Sequence, residues 1–551
     1  MKNNNIILAV AAALLAISCT NLDVDIKSLY TAYPSDDVAL EAKMADVYYC
    51  FRGALGRRYG ESSSLSSDEQ TAISFDGDYY DSGTYAHTAF HASTPDDASI
   101  DWYAEIAAGI TKANKAILDL GGYDSPASSY ARAMRAFYTF LLMDNYGDVP
   151  IIDHVLEADA AVVRSSRPQV AKWLADELTE IIPKLTEEVS AATYGKPTKW
   201  MAEALLAKIY LNWPVYTASS VDQYNAANYS NEHLNDIVTL CDDIIASGKF
   251  SLAGGEKAGD GGVPQNPYRA KFYPNNGPQI KDFIYAMPYD AVSAQGFQYA
   301  RPRIWRQGRN DGNGGPGYFG TDIGNSSGGN FSVTPEAGAR FDKAAAEGDL
   351  RAEQVIRGKI MMYDPITYEK TSTPYKYKGA EIVLSREIEL KEGGEEALNT
   401  GKDVHGWSQG YKSVKYFVIQ DDYKNGRNQS NDLPIFRYAD VLLMKAEAIV
   451  RGASATNGAT AASLVKQVRD YAKAPVISNV TLDVIENERA LEFFDENWRR
   501  NDMIRFGHFE DEYGFHKKNI AYAKFDKTRR IFPIPTGVLN ENTNWQQNPG
   551  Y

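Results

Sequence analysis

Residues 130–141, YARAMRAFYTFL, place Tyr130, Met134, Phe137 and Leu141 at intervals of three and four, the spacing that lines one face of an α-helix. The stripe stops at Gly147 and Pro150, residues that end helices rather than continue them. Working outward, the same period recurs. Leu40, Met44, Val47 and Phe51 follow Ser35, Asp36 and Asp37, which supply an N-cap and an acidic first turn. Ala202, Leu206, Ile209 and Trp213 start near Thr198 and are stopped by Pro214. Ala439, Leu442, Ala446 and Ile449 form a further stripe, and Val484, Leu491, Phe494 and Trp498 another. Alanine at the inward positions lets helices approach closely. The expectation is a mainly α fold, a tetratricopeptide-like scaffold of helical pairs with long loop-rich insertions.

Between about residues 250 and 435 the character changes: Gly, Pro, Asn and aromatic residues dominate, and helical periodicity survives only in short pieces. Gly308–Asn330 is glycine-rich with Tyr318 and Phe319 embedded in it. Long irregular loops are uncommon in compact domains, and aromatics within one favour a functional loop. With no charge run or low-complexity break to divide it, the chain from residue 35 to 551 reads as one body. Its parts are a helical segment (35–250), a loop-rich segment (251–435) and a C-terminal segment (436–551).

The composition, 44% hydrophobic and 23% charged, is that of a protein with a real core. A formal net charge of −15 argues against nucleic acid, which rewards basic surfaces. Lys2 precedes an apolar run from Ile6 to Ile17, then Ser18 and Cys19. That run is too short to span a bilayer but suits a signal-peptide core. A cysteine directly behind it, after a small residue, is similar to a bacterial lipobox. The expectation is a signal peptide over residues 1–18, lipid on Cys19 and a tether over residues 19–34, with the acyl chains alone holding the protein on a membrane. The other cysteines, Cys50 and Cys241, lie in apolar stripes and read as small buried hydrophobes, with no disulfide framework or zinc spacing.

Five segments together resemble the SusD/RagB family of outer-membrane nutrient-binding lipoproteins. They are the run from Tyr130 to the Tyr-Gly-Asp-Val-Pro ending at Pro150, Gly195–Asn212, Phe436–Ala448, Glu488–Arg505, and the tail from Ile531 to Tyr551. They stand in the family's order and span nearly the whole chain behind the lipobox. The resemblance implies a tetratricopeptide-containing helical fold and a non-catalytic lipoprotein on the cell surface. It also implies a SusC-like TonB-dependent barrel as partner, over whose mouth this protein would close. Asp23 and Asp25, soon after Cys19, are compatible with surface export in this group.

A glycan receptor needs flat aromatics for the C–H faces of sugar rings and Asn, Asp or Arg for the hydroxyl rim. Two stretches supply both. The first holds Tyr79, Tyr80 and Asp81; the second holds Tyr299, Trp305, Arg306, Asn310, Tyr318 and Phe319. Trp407, between Gly406 and Ser408, is a lesser candidate, and Trp102 reads as helical core. A peptide receptor of the RagB kind is the second reading and a surface glycosidase the third.

Catalytic signals are weak. Glu486, Glu488, Glu492, Asp495 and Glu496 are dense enough to suggest acid–base chemistry, but Arg489, Arg499 and Arg500 beside them make ion pairing the simpler account. Gly324-Asn-Ser326-Ser-Gly328 matches a nucleophile-elbow pattern without the strand and helix that motif requires. His87 and His91 are four apart but lack a carboxylate partner in sequence and read as solvated loop residues. Asp311-x-Asn313 opens like a calcium loop, yet Pro316 stands where the turn glycine belongs. No cofactor or metal is specified, though a structural calcium ion is left open.

Overall fold

The structure, a computed structural model, describes residues 37–77, 83–157, 159–255, 264–514 and 523–551. Cys19, the tether and the candidates Tyr79, Tyr80 and Asp81 lie outside the described residues. Residues 1–45 separate from a compact unit, Asp46–Tyr551, and of the first unit only the opening turns of a helix are described.

The helices that frame the larger unit are α1 (Asp37–Tyr48, which ends in it), α2 (Tyr103–Asp119), α3 (Ser129–Tyr146), α4 (Arg167–Ile181), α5 (Lys199–Leu211) and α6 (Leu234–Ala246). They continue with α7 (Pro335–Ala346), α8 (Tyr438–Val450), α9 (Ala461–Tyr471), α10 (Leu482–Glu492) and α11 (Arg499–Phe506). Each of α2 to α5 packs on the next, α6 packs on α8, and α8 packs on α9 and α10. Successive pairs that contact mainly their neighbours are the arrangement of a helical repeat. The alanines of the sequence stripes make it close: Ala131, Ala133, Ala136, Ala202, Ala204, Ala207, Ala439 and Ala446 are all fully buried.

Local chemistry fixes the ends. The Thr198 hydroxyl caps α5 by accepting from Met201 N–H at 3.3 Å, where the sequence puts the start. The stripe from Val484 to Trp498, by contrast, is not one helix. The chain breaks between α10 and α11, where Asp495 and Asn497 take left-handed φ of 59° and 70°. Asp and Asn tolerate that region better than other non-glycine residues, and the break frees the Asp495 carboxylate to accept from Arg303 at 2.9 Å.

Where α2 crosses α3, Gly109 lies under Tyr138. A Cβ there would stand 2.6 Å from Tyr138 Cε2, and the ring is pinned because its hydroxyl donates to Val47 O at 2.5 Å. Alanine gains about 1 kcal/mol over glycine in a helix, but overpacking costs about 1–3 kcal/mol. Gly109→Ala is therefore expected to lower net stability in urea unfolding, against the propensity trend; a stabilised variant would show the crossing to be loose.

Short strands stitch the loop-rich segment: β1 (Gln70–Ala72), β2 (Phe283–Met287), β3 (Phe331–Val333), β4 (Val355–Ile356), β5 (Lys376–Tyr377), β6 (Ala380–Glu381), β7 (Lys412–Ser413) and β8 (Leu433–Arg437). All pairs are antiparallel: β1 with β3 (Thr71 opposite Ser332), β2 with β8 (Tyr285 opposite Phe436), β4 with β7, and β5 with β6. The turn joining β5 and β6 has φ of 50° at Lys378 and 84° at Gly379. Two successive positive φ values match the twist of a two-residue hairpin, and glycine adopts one without strain.

The acidic run does form ion pairs, largely with cations distant in sequence. Glu488 meets Arg351 and Arg469, Glu492 meets Arg351 and Arg437, and Glu496 meets Lys415 and Arg437. Cys241 is buried as expected, whereas Cys50 is only partly so. His91 is not a solvated loop residue: it is buried, stacked on Phe509 at 4.3 Å and bonded to the Tyr513 hydroxyl at 2.8 Å. His87 pairs instead with Asp97 at 2.9 Å. Among the described residues no helix is long and apolar enough to cross a membrane.

Candidate functional site

The aromatics expected to face a ligand in the second stretch are core residues. Trp305 and Tyr318 are 0% exposed, and Tyr299 and Phe319 1%. Trp305 is drawn inward because its indole N–H donates to Ser408 Oγ at 3.2 Å and its backbone N–H to the Tyr318 hydroxyl at 3.2 Å. Tyr318 packs on Phe319 and Tyr375, and Phe319 stands edge-on to Phe417 at 5.1 Å. Tyr299 donates to Asp495 O at 2.8 Å, with the Arg303 guanidinium 3.5 Å over its ring. Glycine-rich sequence around these rings suggested a wet loop; glycine instead lets the backbone fold tightly over an aromatic core.

The polar candidates lie nearer the surface. Arg306 is partly buried, donates to Gly328 O at 3.0 Å and lies 4.6 Å over the Phe75 ring. Asn310 organises its own loop: its side chain accepts from Gly312 N–H at 2.9 Å and donates to Asp322 at 3.3 Å, while its backbone carbonyl accepts from the Tyr375 hydroxyl. The Asp311 carboxylate takes the N–H groups of Asn313 and Gly315, so the calcium-like opening is a hydrogen-bonded turn.

Two aromatic rings do reach the surface around Trp305. Trp407 and Tyr377 are both partly exposed. Both stand edge-on to Trp305, Trp407 at 6.4 Å and 73°, Tyr377 at 5.4 Å and 77°. Their supports are local. Trp407 ends a helical turn, Val404–Trp407, capped by the Asp403 carboxylate accepting from Gly406 N–H at 2.8 Å. Tyr377 ends β5, and the turn behind it is tied to the glycine-rich loop by Lys378 N–H donating to Asp311 O at 2.7 Å. The Trp407 indole nitrogen is closed from solvent and finds no hydrogen-bond partner among the described residues.

The described residues that precede the first candidate stretch, 73–77, are tied to the same rim. Ser74 pairs with Asn399, Thr400 N–H donates to Ser74 O at 3.0 Å, and Asp76 meets Lys391 at 2.8 Å. Trp407 packs against the core cluster that contains Phe75 and Leu398. The structure thus gathers Arg306, Asn310, Tyr377, Trp407 and the end of the 73–77 segment. Tyr377 had no signal in sequence beyond its place in a polar hairpin, Lys376-Tyr377-Lys378-Gly379.

Beneath this rim Lys412 is fully buried and donates to Gly329 O at 2.9 Å, Phe331 O at 2.8 Å and Ser332 Oγ at 2.9 Å, closing the glycine-rich loop onto β3. Burial pushes its ammonium down to about 7, below the ordinary lysine value of about 10.4. Between those values the unfolded chain holds a proton that the folded state has released. The group's contribution to stability therefore rises with pH across the window and is lost as pH falls through it. The unfolding free energy of the wild type minus that of Lys412→Met is expected to climb from about pH 7 to about pH 10; a flat difference would show the ammonium to be stabilised in place.

A helical-repeat scaffold with a loop-built aromatic rim is the class of protein that fold and rim define. Two family profiles match the chain: that of the SusD family over residues 281–551, and one described as "Starch-binding associating with outer membrane" over residues 22–211. The chain belongs to the SusD family. It is 22% identical over 501 residues to the starch-binding protein SusD of Bacteroides thetaiotaomicron, covering 83% of this chain and 80% of the relative. Among solved structures it is similar to surface glycan-binding protein A from Bacteroides fluxus, with TM-score 0.68, 17% identity, and coverage of 94% of this chain and 100% of the other. It is also similar to surface glycan-binding protein A from Bacteroides thetaiotaomicron in complex with laminarihexaose, with TM-score 0.64, 18% identity, and coverage of 93% and 99%. At such identities the structural likeness shows a shared fold.

Proposed function

We propose that this protein binds a glycan on the cell surface and delivers it, unmodified, to a SusC-like TonB-dependent barrel, held at the outer membrane by lipid on Cys19. The observation that carries the reading is the pair Trp407 and Tyr377, partly exposed and braced edge-on by buried Trp305. Flat rings of this kind cover the C–H faces of sugar units, while Arg306 and Asn310 lie within reach of ring hydroxyls. The descriptions of the family and of the similar proteins, as starch-binding and glycan-binding, support the ligand class. A non-catalytic role is supported by the nearby carboxylates, which are already engaged: Asp403 caps its turn, Asp311 holds a loop and Asp322 pairs with Arg309.

The test is affinity electrophoresis and calorimetry of residues 20–551 against a polysaccharide panel that includes laminarin, with product analysis alongside. Retention by one glycan class with no new reducing ends is the expected result. A chain that ignores every glycan but retains peptides from a digest would replace this reading with a peptide receptor. On cells, cross-linking is expected to join the lipidated chain to a TonB-dependent barrel, and recovery of the chain alone would remove the delivery step.

A further inference from the structure

A second concave surface, which shares no lining residue with the aromatic rim, lies where the α4–α5 connection meets the segment leading from α6 to β2. It is an open groove of about 540 Å³, lined by Glu188, Lys249, Phe250, Ser251 and Lys281, among others. That volume falls within the roughly 300–1,000 Å³ of pockets that hold small molecules. A smaller recess adjoins it, sharing Lys249, Phe250 and Lys281 and reaching Tyr194 and Ile280. The two lysine-bearing segments are locked side by side: Ser251 N–H donates to Lys281 O and Lys281 N–H to Ala253 O, both at 3.1 Å.

Charge singles this groove out. In a chain of net charge −15, neighbouring cations are neutralised: Lys199 by Glu187 and Asp243, Lys271 by Asp282, Lys445 by Asp242. Lys249 instead donates to a backbone carbonyl, that of Glu187, and stands 5.5 Å from the Trp200 ring centroid. Neither Lys249 nor Lys281 has a carboxylate within ion-pair distance among the described residues. Two lysines thus line one groove, with Glu188 the one acidic residue among its lining. Phe250 lines the groove as a largely buried apolar residue, 7% exposed, braced edge-on by Trp200 at 6.3 Å.

We propose that this groove is a second ligand site that takes a hexuronate unit, its carboxylate held by Lys249 and Lys281 and its ring edge set against the apolar patch that Phe250 leaves open. Two cations select the anion, the apolar patch selects a ring, and Ser251 and Glu188 hydrogen-bond the hydroxyls. The choice of a sugar acid rests on the glycan-binding reading above; the choice of an anion rests on the lysines alone.

Calorimetry on residues 20–551 with D-glucuronate, D-galacturonate, D-glucose, acetate and sulfate tests it, with Lys249→Gln, Lys281→Gln and Trp407→Ala in parallel. The expected result is hexuronate binding that weakens with added salt, exceeds glucose binding by at least about tenfold, and falls by at least about tenfold in each lysine variant. Trp407→Ala should leave it unchanged, so that failure at the aromatic rim and failure here are separately visible. Equal binding of glucose, unchanged binding in the lysine variants, or no binding of any probe would overturn the proposal. Acetate or sulfate binding as tightly as hexuronate would also overturn it, by showing an anion site that takes no sugar.

Discussion

Trp407→Ala is expected to abolish retention of the glycan while the chain stays folded, and Trp305→Ala to do the reverse damage, lowering stability by about 3–5 kcal/mol. The two residues touch, yet their surroundings separate their roles. Trp305 is enclosed by Tyr375, Tyr377 and Trp407 and bonded to Ser408, so truncating it opens a cavity at the centre of an aromatic cluster. Trp407 is partly exposed and packs on the core from its edge, so truncating it removes a ring from the rim without opening an enclosed cavity at the cluster's centre. An exposed aromatic at the centre of a binding surface is commonly worth at least about 2 kcal/mol, roughly thirtyfold in Kd. Urea unfolding and affinity gels, run on both variants below their melting temperatures, separate the effects. Trp407→Ala binding as tightly as wild type would remove the platform from the proposed function. A Trp305→Ala variant of unchanged stability would mean the cluster closes over the gap.

The helical scaffold was legible in sequence because its signal is local. Alanine-rich stripes such as 130–141 report a packed face by spacing alone, and Thr198 reports a cap by its chemistry. The break at Asp495 and Asn497 was not legible, since the residues it rewards, Arg303 and Gln70, are hundreds of positions away. Of the candidate rim, the sequence shows the region and not which of its rings reach the surface. The 299–319 stretch does lie at the candidate rim, but aromatic identity cannot say which ring is the wall and which the brace. That is decided by partners from elsewhere in the chain, Ser408 for Trp305 and the 375–377 segment behind it. Tyr377 gains its place only because β5 and β6 form a hairpin against the glycine-rich loop.

The same long-range logic predicts that Arg437→Met loses about 3–5 kcal/mol of stability in urea unfolding, as much as Trp305→Ala. Arg437 is buried and donates to Asp282 at 2.7 Å, to Glu492 at 2.8 Å and to both oxygens of Glu496 at 2.7 and 2.9 Å. Methionine fills much of its volume but leaves three carboxylates short of a cation, and an uncompensated buried charge costs far more than the intact pair contributes. Arg437→Lys is expected to recover part of the loss, because a point charge cannot reproduce the forked contacts. Acid adds an independent signature. Burial alone would raise the Glu492 carboxyl, but Arg437 and then Arg351 outweigh it and pull it down to about 2. A carboxyl depressed in the folded state contributes stability above its unfolded value of about 4.3, and that contribution is lost as pH falls from there toward about 2. The wild type should therefore weaken across that window more steeply than Arg437→Met, whose Glu492 has lost its main cation. A variant with an unchanged urea midpoint and acid profile would show that Lys271, Arg351 and Lys415 suffice. If instead it collapses, binding is expected to go with it, because Glu496 and Asp495 are adjacent, Asp495 holds Arg303, and Arg303 stands two residues before Trp305.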